Sequence, residues 1–372
     1  MNWKIQMYNF KKISNFFYNP VLKFKTKKWK PFSRLITKAD NSPWVLNEIQ
    51  KEMVMLFNNL NIKCYPENYI DGSSRQSIFY FNKYDVLSHW KNLDHRIAFP
   101  YYHGDPRSNT KFNEFFKVIK KNHRRIHRIQ VSHSEMENLI LNTGIDSNKV
   151  FKIPISINME NFQKNTPTLR RQSRKELGVS NDTILIGSFQ KDGNLWGDGN
   201  EAKLIKGPDI FIKTVYELKK KYEKISVLLT GPSRGYVKNE LKKIQVPFIH
   251  RYINSYKDIA KYYYPLDAYL ISSREEGGPR SVLETMACSI PLISTKVGQA
   301  IDLVDSGKNG WLVNSFNPTE LAETIVNVIE NQYILNQEFI NLSRKTAQEN
   351  SYPKQINLWK LFMKDFLDHD FK

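Results

Sequence analysis

The chain has 372 residues, of which 40% are hydrophobic, and its formal net charge is +19. This length predicts two domains rather than one small core. No apolar run approaches the length needed to cross a bilayer, and the two cysteines form no metal-site or disulfide pattern. We therefore expect a globular protein of the reducing cytoplasm.

The positive charge is concentrated in the first half. Residues 1–176 hold 31 Lys/Arg and 14 Asp/Glu, a net charge of +17, whereas residues 177–372 hold 25 and 23. Basic and aromatic residues alternate before Asp40, the first acidic residue, a mixture that suits an anionic membrane surface. A solvated basic face is the second interpretation, and nucleic-acid binding, which we do not expect, is the third.

The first half is predicted to alternate strands with helices. Strands are expected at residues 33–37, 62–65, 77–81, 96–100, 129–132 and 150–153. Helices are expected after Ser42-Pro43, where serine suits an N-cap and proline a first position, at 110–123, and from about residue 133 through Leu141. The polar, basic stretch 161–173 predicts a linker between the halves.

The second half repeats this alternation more clearly. Strands are expected at 184–187, 226–231, 268–272 and 291–295, and helices at 209–221, at 255–264 and from Arg280. Strands alternating with helices predict parallel sheets with helices on both faces. Since ligands of such sheets bind beyond the carboxyl ends of the strands, the loops after Gly187, Gly231, Ser272 and Thr295 should line one cleft.

One motif carries most of the functional information. Glu276 and Glu284 have seven residues between them, including Gly277, Gly278 and Pro279. A helix beginning near Pro279 would let both carboxylates face one cleft, and the two glycines would let the backbone approach a ligand closely. The free amides of the helix start form an anion site. Carboxylates that bind hydroxyls beside amides that bind phosphate predict a nucleotide-sugar ligand.

Residues 276–287 resemble the family-four retaining glycosyltransferases of the GT-B fold. Segments 153–158, 206–209, 291–299 and 307–313 extend the resemblance, which covers residues 129–328. It implies an α/β protein with two Rossmann-like domains that face each other across a cleft. We expect an acceptor-side domain at 1–165, a nucleotide-sugar domain at 174–351, and a final helix within 352–372 that packs back on the first domain.

The resemblance also implies roles for individual residues. Glu276 would bind hydroxyls of the donor sugar, Lys206 would neutralise the pyrophosphate, His103 would face the sugar and Glu284 would bind the ribose. Further donor-binding candidates are Gly277, Gly278, Pro279, Arg280, Ser281, Ser188, Lys191 and Gly231. No metal and no cofactor are expected, since the nucleotide sugar is the substrate.

One departure from the family concerns the leaving group. Family members commonly carry an arginine where this chain has Ser188, so the pyrophosphate is one cation short. Lys191, Lys203 and Arg280 are the candidates to replace it. The segment 191–205 is also longer than usual, and we expect it to form a loop over the donor.

The sequence therefore predicts a retaining, hexosyltransferase-like glycosyltransferase. It would move a sugar from a nucleotide-sugar donor to a glycan or lipid-linked acceptor in surface polysaccharide synthesis, on the inner face of the membrane. Two alternatives remain open. One is a nucleotide-sugar epimerase or hydrolase on the same fold, and the other is a non-catalytic polyanion-binding protein.

Overall fold

The computed structural model describes residues 30–39, 45–70, 75–89, 94–194 and 197–370. The basic and aromatic stretch before Lys30 and the predicted helix start at Ser42-Pro43 lie outside these residues. Within the described ranges, no helix combines the length and apolar character that a membrane span requires.

Two six-stranded sheets organise the described residues. The strands are β1 Leu35–Lys38, β2 Cys64–Pro66, β3 Ser77–Tyr80, β4 Arg96–Pro100, β5 Arg128–Val131, β6 Val150–Lys152, β7 Ile184–Ser188, β8 Ile225–Thr230, β9 Phe248–Arg251, β10 Ala268–Ile271, β11 Leu292–Thr295 and β12 Trp311–Val313. Their orders are β2-β1-β3-β4-β5-β6 and β12-β11-β10-β7-β8-β9, and every neighbouring pair is parallel.

Helices connect these strands. They are α1 Val45–Asn59, α2 Val86–His89, α3 Thr110–Asn122, α4 Ser134–Leu141, α5 Pro167–Leu177, α6 Pro208–Lys221, α7 Gly235–Lys243, α8 Ala260–Tyr263, α9 Ser281–Cys288, α10 Ala300–Leu303, α11 Pro318–Glu330, α12 Gln337–Glu349 and α13 Tyr352–Met363. Short 3₁₀ turns include Lys83–Asp85, Leu204–Lys206 and Tyr256–Asp258. Strand order reverses between β1 and β3 and between β7 and β10, and such switch points are where ligands bind.

The predicted α/β architecture with parallel sheets is confirmed, but the predicted linker at 161–173 is wrong in part. Helix α5 begins inside it, with the Thr166 side chain accepting from the Leu169 amide and Gly178 ending the helix in the left-handed region. Arg174 is 1% exposed because its guanidinium binds the carbonyl of Pro265 and the carboxylate of Asp267. The basic stretch is therefore a helix that packs on the second domain.

Two other boundaries differ from the predictions. The single helix expected at 255–264 is a 3₁₀ turn, Tyr256–Asp258, followed by the short helix α8. The motif helix α9 begins at Ser281, so Pro279 precedes it by two residues instead of opening it. Strand β9, Phe248–Arg251, had no counterpart among the predicted elements because it is only partly buried at the sheet edge.

The last helix, α13, joins the core of the first domain. The ring of Trp359 lies 5.4 Å from that of Phe57 on α1 and 6.3 Å from that of Phe79 on β3. Phe362 packs on the same Phe79 ring at 6.0 Å. The chain therefore crosses back to the first domain after completing the second.

Candidate active site

The motif loop between β10 and α9 lies directly against the first domain. A Cβ added to Gly277 would lie 2.8 Å from the Cβ of Tyr102, and one added to Gly278 would lie 2.7 Å from Cδ1 of Ile155. The hydroxyl of Ser132, which follows β5, donates to the carbonyl of Gly277. The two glycines therefore allow close approach between the domains, and the motif stands at the carboxyl ends of both sheets.

Glu276 and Lys206 meet in the cleft. Lys206 Nζ lies 2.6 Å from Glu276 Oε2, and the hydroxyl of Ser273 donates to Oε1 over 2.8 Å. The 3₁₀ turn that ends at Lys206 packs against the residue after β10. A Cβ added to Gly207 would lie 1.8 Å from the carbonyl oxygen of Ser272. Because Gly207 also has φ +60°, only glycine fits there. The structure thus brings together two of the three predicted catalytic residues.

His103, the third, faces these residues from the first domain. Its ring stands edge-on to Phe112 at 5.6 Å, and its carbonyl accepts from the ammonium of Lys83. Desolvation by the surrounding protein lowers the pKa of His103 to about 3, and the positive charges of Lys83, Lys206 and Lys203 lower it further. The imidazole is therefore neutral near pH 7 and can exchange hydrogen bonds with a sugar hydroxyl.

Lys83 is a residue of this region that the sequence did not single out. It follows β3 at the switch point of the first sheet and is 7% exposed, with Nζ 3.8 Å from the ring centroid of Tyr101. Burial lowers the pKa of Lys83 to about 7, against the opposing effect of Glu275. Its sequence neighbourhood resembles that of the chain's many surface lysines, so only the fold reveals it.

Glu284, the predicted ribose ligand, has both carboxylate oxygens occupied by tyrosines. Tyr256 donates to Oε1 over 2.5 Å and Tyr263 to Oε2 over 2.6 Å. Burial raises the pKa of Glu284, while the nearby Arg280 and the two hydroxyls lower it. A ribose that binds this carboxylate would compete with at least one tyrosine hydroxyl.

Arg280 contacts carboxylates of both domains, Glu52 and Glu284. Its Nη1 lies 2.8 Å from Oε2 of Glu52 on α1, and its guanidinium lies 4.3 Å from the ring centroid of Tyr256. Tyr352 of α13 donates to the same Glu52 oxygen over 2.8 Å. Arg280, one of the three candidates for the missing cation, is thus engaged in an ion pair between the domains.

Ser188, where the arginine was expected, sits beside a different buried arginine. Arg234 Nη1 donates to the Ser188 carbonyl over 2.8 Å and Nη2 to its hydroxyl over 3.2 Å. Asp192 Oδ2 lies 3.0 Å from Nη2, and both side chains of this ion pair are fully buried. Burial raises the pKa of Asp192 to about 6, against the lowering effect of Arg234. The charge of Arg234 is therefore compensated beneath the site.

The remaining predicted residues lie around the same end of the second sheet. Gly231 directly follows β8 and has φ +82°. Its carbonyl lies 2.7 Å from Nε2 of His250. Pro279 and Ser281 flank Arg280 at the start of α9. Lys191 lies on the loop after β7, where burial lowers its pKa. Among the described residues, no group of three or more His, Cys, Asp or Glu could hold a metal ion. That the reaction needs no metal or cofactor stays a prediction.

The second domain matches a known family. Residues 200–346 fit the family model described as glycosyl transferases group 1. The match assigns residues 200–346 to the glycosyl transferases group 1 family. The match contains Lys206, Glu276 and Glu284, so the resemblance first drawn from the motif is confirmed at the level of the family.

The curated relatives that match this chain include glycosyltransferases named for different functions. It is 25% identical over 202 residues to the D-inositol 3-phosphate glycosyltransferase of Corynebacterium jeikeium, covering 51% of this chain and 46% of the relative. It is 25% identical over 239 residues to the capsular polysaccharide biosynthesis glycosyltransferase CapM of Staphylococcus aureus, covering 63% and 57%. The chain thus spans about half the length of these relatives.

The fold is shared along almost the whole chain. HepE of Anabaena, solved in complex with UDP and glucose, superposes with a TM-score of 0.70 at 15% identity, over 90% of this chain and all of that one. The described residues before Ile129, a region that carried little of the sequence resemblance, therefore have the expected architecture as well. The GT-B fold is confirmed.

Proposed function

We propose that this protein is a retaining glycosyltransferase that moves a sugar from a nucleotide-diphosphate donor to a glycan or lipid-linked acceptor in surface polysaccharide synthesis. The observation that carries the proposal is the pairing of Lys206 with Glu276, 2.6 Å apart, opposite His103. This pairing places a cation that can bind a phosphate beside a carboxylate that can bind sugar hydroxyls.

The chemistry of glycosyl transfer suits this arrangement. Breaking the bond between the sugar and the phosphate builds negative charge on the pyrophosphate while the sugar becomes oxocarbenium-like. Preorganised cations and amide dipoles directed at that charge lower the barrier. In this proposal Lys206 exchanges its contact with Glu276 for the pyrophosphate, and the released carboxylate binds the sugar.

Retention of configuration is part of the proposal. Both oxygens of Glu276 are held, one by Lys206 and one by Ser273, which suits a binding carboxylate better than a free nucleophile. Without a protein nucleophile, the acceptor would attack from the face of the leaving group, and the donor phosphate would assist its deprotonation. The scheme needs no paired acid and base, unlike that of glycosidases.

The donor and acceptor classes are supported by the similar proteins. HepE was solved with UDP-glucose, which favours a uridine nucleotide sugar as the first donor to test. CapM takes part in capsular polysaccharide biosynthesis, which favours a surface glycan or its lipid-linked precursor. Helix α3 carries exposed basic residues that would suit an anionic membrane surface, namely Lys111, Lys117, Lys120 and Lys121. We propose no nucleic-acid partner.

The decisive experiment is an activity assay with UDP-, GDP- and ADP-sugars, with and without lipid-linked acceptors. Lys206→Ala and Glu276→Ala should abolish transfer, and NMR of the product should show the anomeric configuration of the donor. A matched control is the surface pair Lys220 and Glu217, 2.7 Å apart on α6, whose alanine variants should stay active. Full activity of both site variants would refute the site, and rapid donor consumption without acceptor would favour an epimerase or hydrolase.

A further inference from the structure

We propose that Lys203 is the second cation of the donor phosphate site and acts beside Lys206 on the leaving diphosphate. The inference rests on the proposed function and deepens it, since it assigns the positive charge that Ser188 does not supply. Four features of the described residues support it: a loop hydrogen-bonded at its base, a turn that Lys203 shares with Lys206, an uncompensated charge, and the engagement of the alternative arginines.

The loop that carries Lys203 is fixed at its base. Residues 193 and 202 pair as an antiparallel bridge, and the Lys203 amide donates to the carbonyl of Asp192 over 2.8 Å. The side chain of Asp192 forms the fully buried ion pair with Arg234. The backbone of Lys203 is thus anchored to the carboxyl end of β7, at the switch point of the second sheet.

Lys203 and Lys206 belong to one tight turn. Lys203 precedes the 3₁₀ turn Leu204–Lys206, and its carbonyl accepts from the Lys206 backbone amide over 2.8 Å. The two ammonium groups are close enough for the charge of Lys206 to lower the pKa of Lys203. The side-chain amide of Gln190 donates to the Lys206 carbonyl over 2.7 Å and holds the turn in the cleft.

The ammonium of Lys203 is uncompensated in the part of the chain that the structure describes, where no carboxylate lies within 4.0 Å of it. Lys206, by contrast, has Glu276 at 2.6 Å. Burial lowers the pKa of Lys203, and Lys206 and Lys191 lower it further, while Glu276 raises it. Half-buried cations that repel one another become favourable when an anion binds between them.

The other candidates are less well placed. Arg280 is bound to Glu52, and Arg234 is compensated by Asp192. Lys191 precedes the bridge between residues 193 and 202, whereas Lys203 follows it and accepts from the Lys206 backbone amide. Among the three candidates, Lys203 is therefore the one whose backbone is hydrogen-bonded to Lys206.

Calorimetric titration of the full chain with UDP, GDP and ADP, and with their monophosphates, tests the inference. For the diphosphate that binds the wild type best, Lys203→Met should weaken binding about tenfold, the effect of one charge-assisted contact. Binding of the matching monophosphate should change far less, because the second phosphate is missing. Lys203→Arg should restore most of the affinity, and Lys213→Met on the exposed face of α6 should leave it unchanged.

The outcomes separate the inference from the proposed function. If Lys206→Met loses diphosphate affinity and Lys203→Met does not, the role of Lys203 is refuted while the function stands. An equal loss of monophosphate and diphosphate affinity in Lys203→Met would also refute it, since that pattern indicates a general structural effect. If the wild type binds neither diphosphates nor nucleotide sugars, the function and the inference fail together.

Discussion

Glu52 and Arg280 form an ion pair between the two domains, with 2.8 Å between Oε2 and Nη1. Their side chains are 11% and 4% exposed, and Tyr352 of the final helix donates to the same carboxylate. Arg280 lies within the motif, four residues before Glu284. The geometry of the motif is therefore coupled to the packing of α1 and α13 in the first domain.

Replacement of Glu52 by alanine should loosen the contact between the domains. The variant leaves the buried guanidinium of Arg280 with the more distant carboxylate of Glu284, 3.7 Å away. Loss of one partner of a buried pair costs up to about 3–5 kcal/mol. Since the pair bridges two separately cored domains, we expect opening of the cleft rather than unfolding. Small-angle X-ray scattering should show a larger radius of gyration for Glu52→Ala.

Glu48 on the same helix provides the matched control, because it pairs with Lys51 at the surface of the first domain. Glu48→Ala should leave the radius of gyration unchanged, as exposed pairs contribute little. The double variant Glu52→Ala/Arg280→Met should recover compactness relative to Glu52→Ala. An identical radius in the wild type and Glu52→Ala would contradict the coupling.

Tyr256 should limit the affinity for a nucleotide. Its hydroxyl occupies Oε1 of Glu284, the carboxylate proposed to receive the ribose. Tyr256→Phe keeps the ring against Arg280 but removes the competing donor, so diphosphate binding should tighten by roughly tenfold, within the range of a hydrogen bond to a charged group. Isothermal titration with UDP measures the change.

Tyr216, exposed on α6, is a suitable control, and Tyr216→Phe should bind UDP as the wild type does. Comparison with 2′,3′-dideoxy-UDP tests the mechanism, because the gain should vanish for a ligand that has no ribose hydroxyls. If Tyr256→Phe binds UDP more weakly, the hydroxyl positions Glu284 rather than competing for it.

The fold could largely be predicted from the sequence, because parallel strands are short apolar runs between amphipathic helices. Arg96–Pro100 matches its predicted bounds, and Val150–Lys152 differs by one residue. Helix α5 was missed because its basic residues resemble a linker. Arg174 is buried because Pro265 and Asp267, more than ninety residues later, bind its guanidinium.

The site was predictable only where it depends on residues close in sequence. The spacing of Glu276 and Glu284 was visible, but the tyrosines that occupy Glu284 come from another segment. Whether Arg280 faces the donor or Glu52 depends on how the domains meet, which local spacing does not encode. Lys83 was missed for the same reason.

Lys83 should make stability depend on pH. Its pKa is lowered by burial to about 7 in the folded protein, against an ordinary value of 10.5. Between these values the unfolded chain binds a proton that the folded protein does not, so the stabilisation increases with pH. Relative to Lys83→Met, the wild type should gain up to about 1.4 kcal/mol per pH unit above pH 7.

Urea unfolding of both proteins at pH 6, 7.5 and 9 measures this difference. Lys117→Met, on the exposed face of α3, should follow the pH profile of the wild type. Below pH 7 the difference between wild type and Lys83→Met should be constant, since both states of the wild type then hold the proton. Parallel profiles from pH 7 to 9 would show that Lys83 keeps an ordinary pKa.

Trp359 should stabilise the first domain although it lies near the end of the chain. Its side chain is 1% exposed and packs edge-on to Phe57 and Phe79. Trp359→Ala should cost about 3–5 kcal/mol, the usual loss for a large buried ring, measured by urea unfolding. Leu358→Ala, at a position 40% exposed on the same helix, should change stability by less than about 0.5 kcal/mol. Similar losses of unfolding free energy in both variants would contradict the prediction, because the burial of the Trp359 ring would then add nothing to the stability.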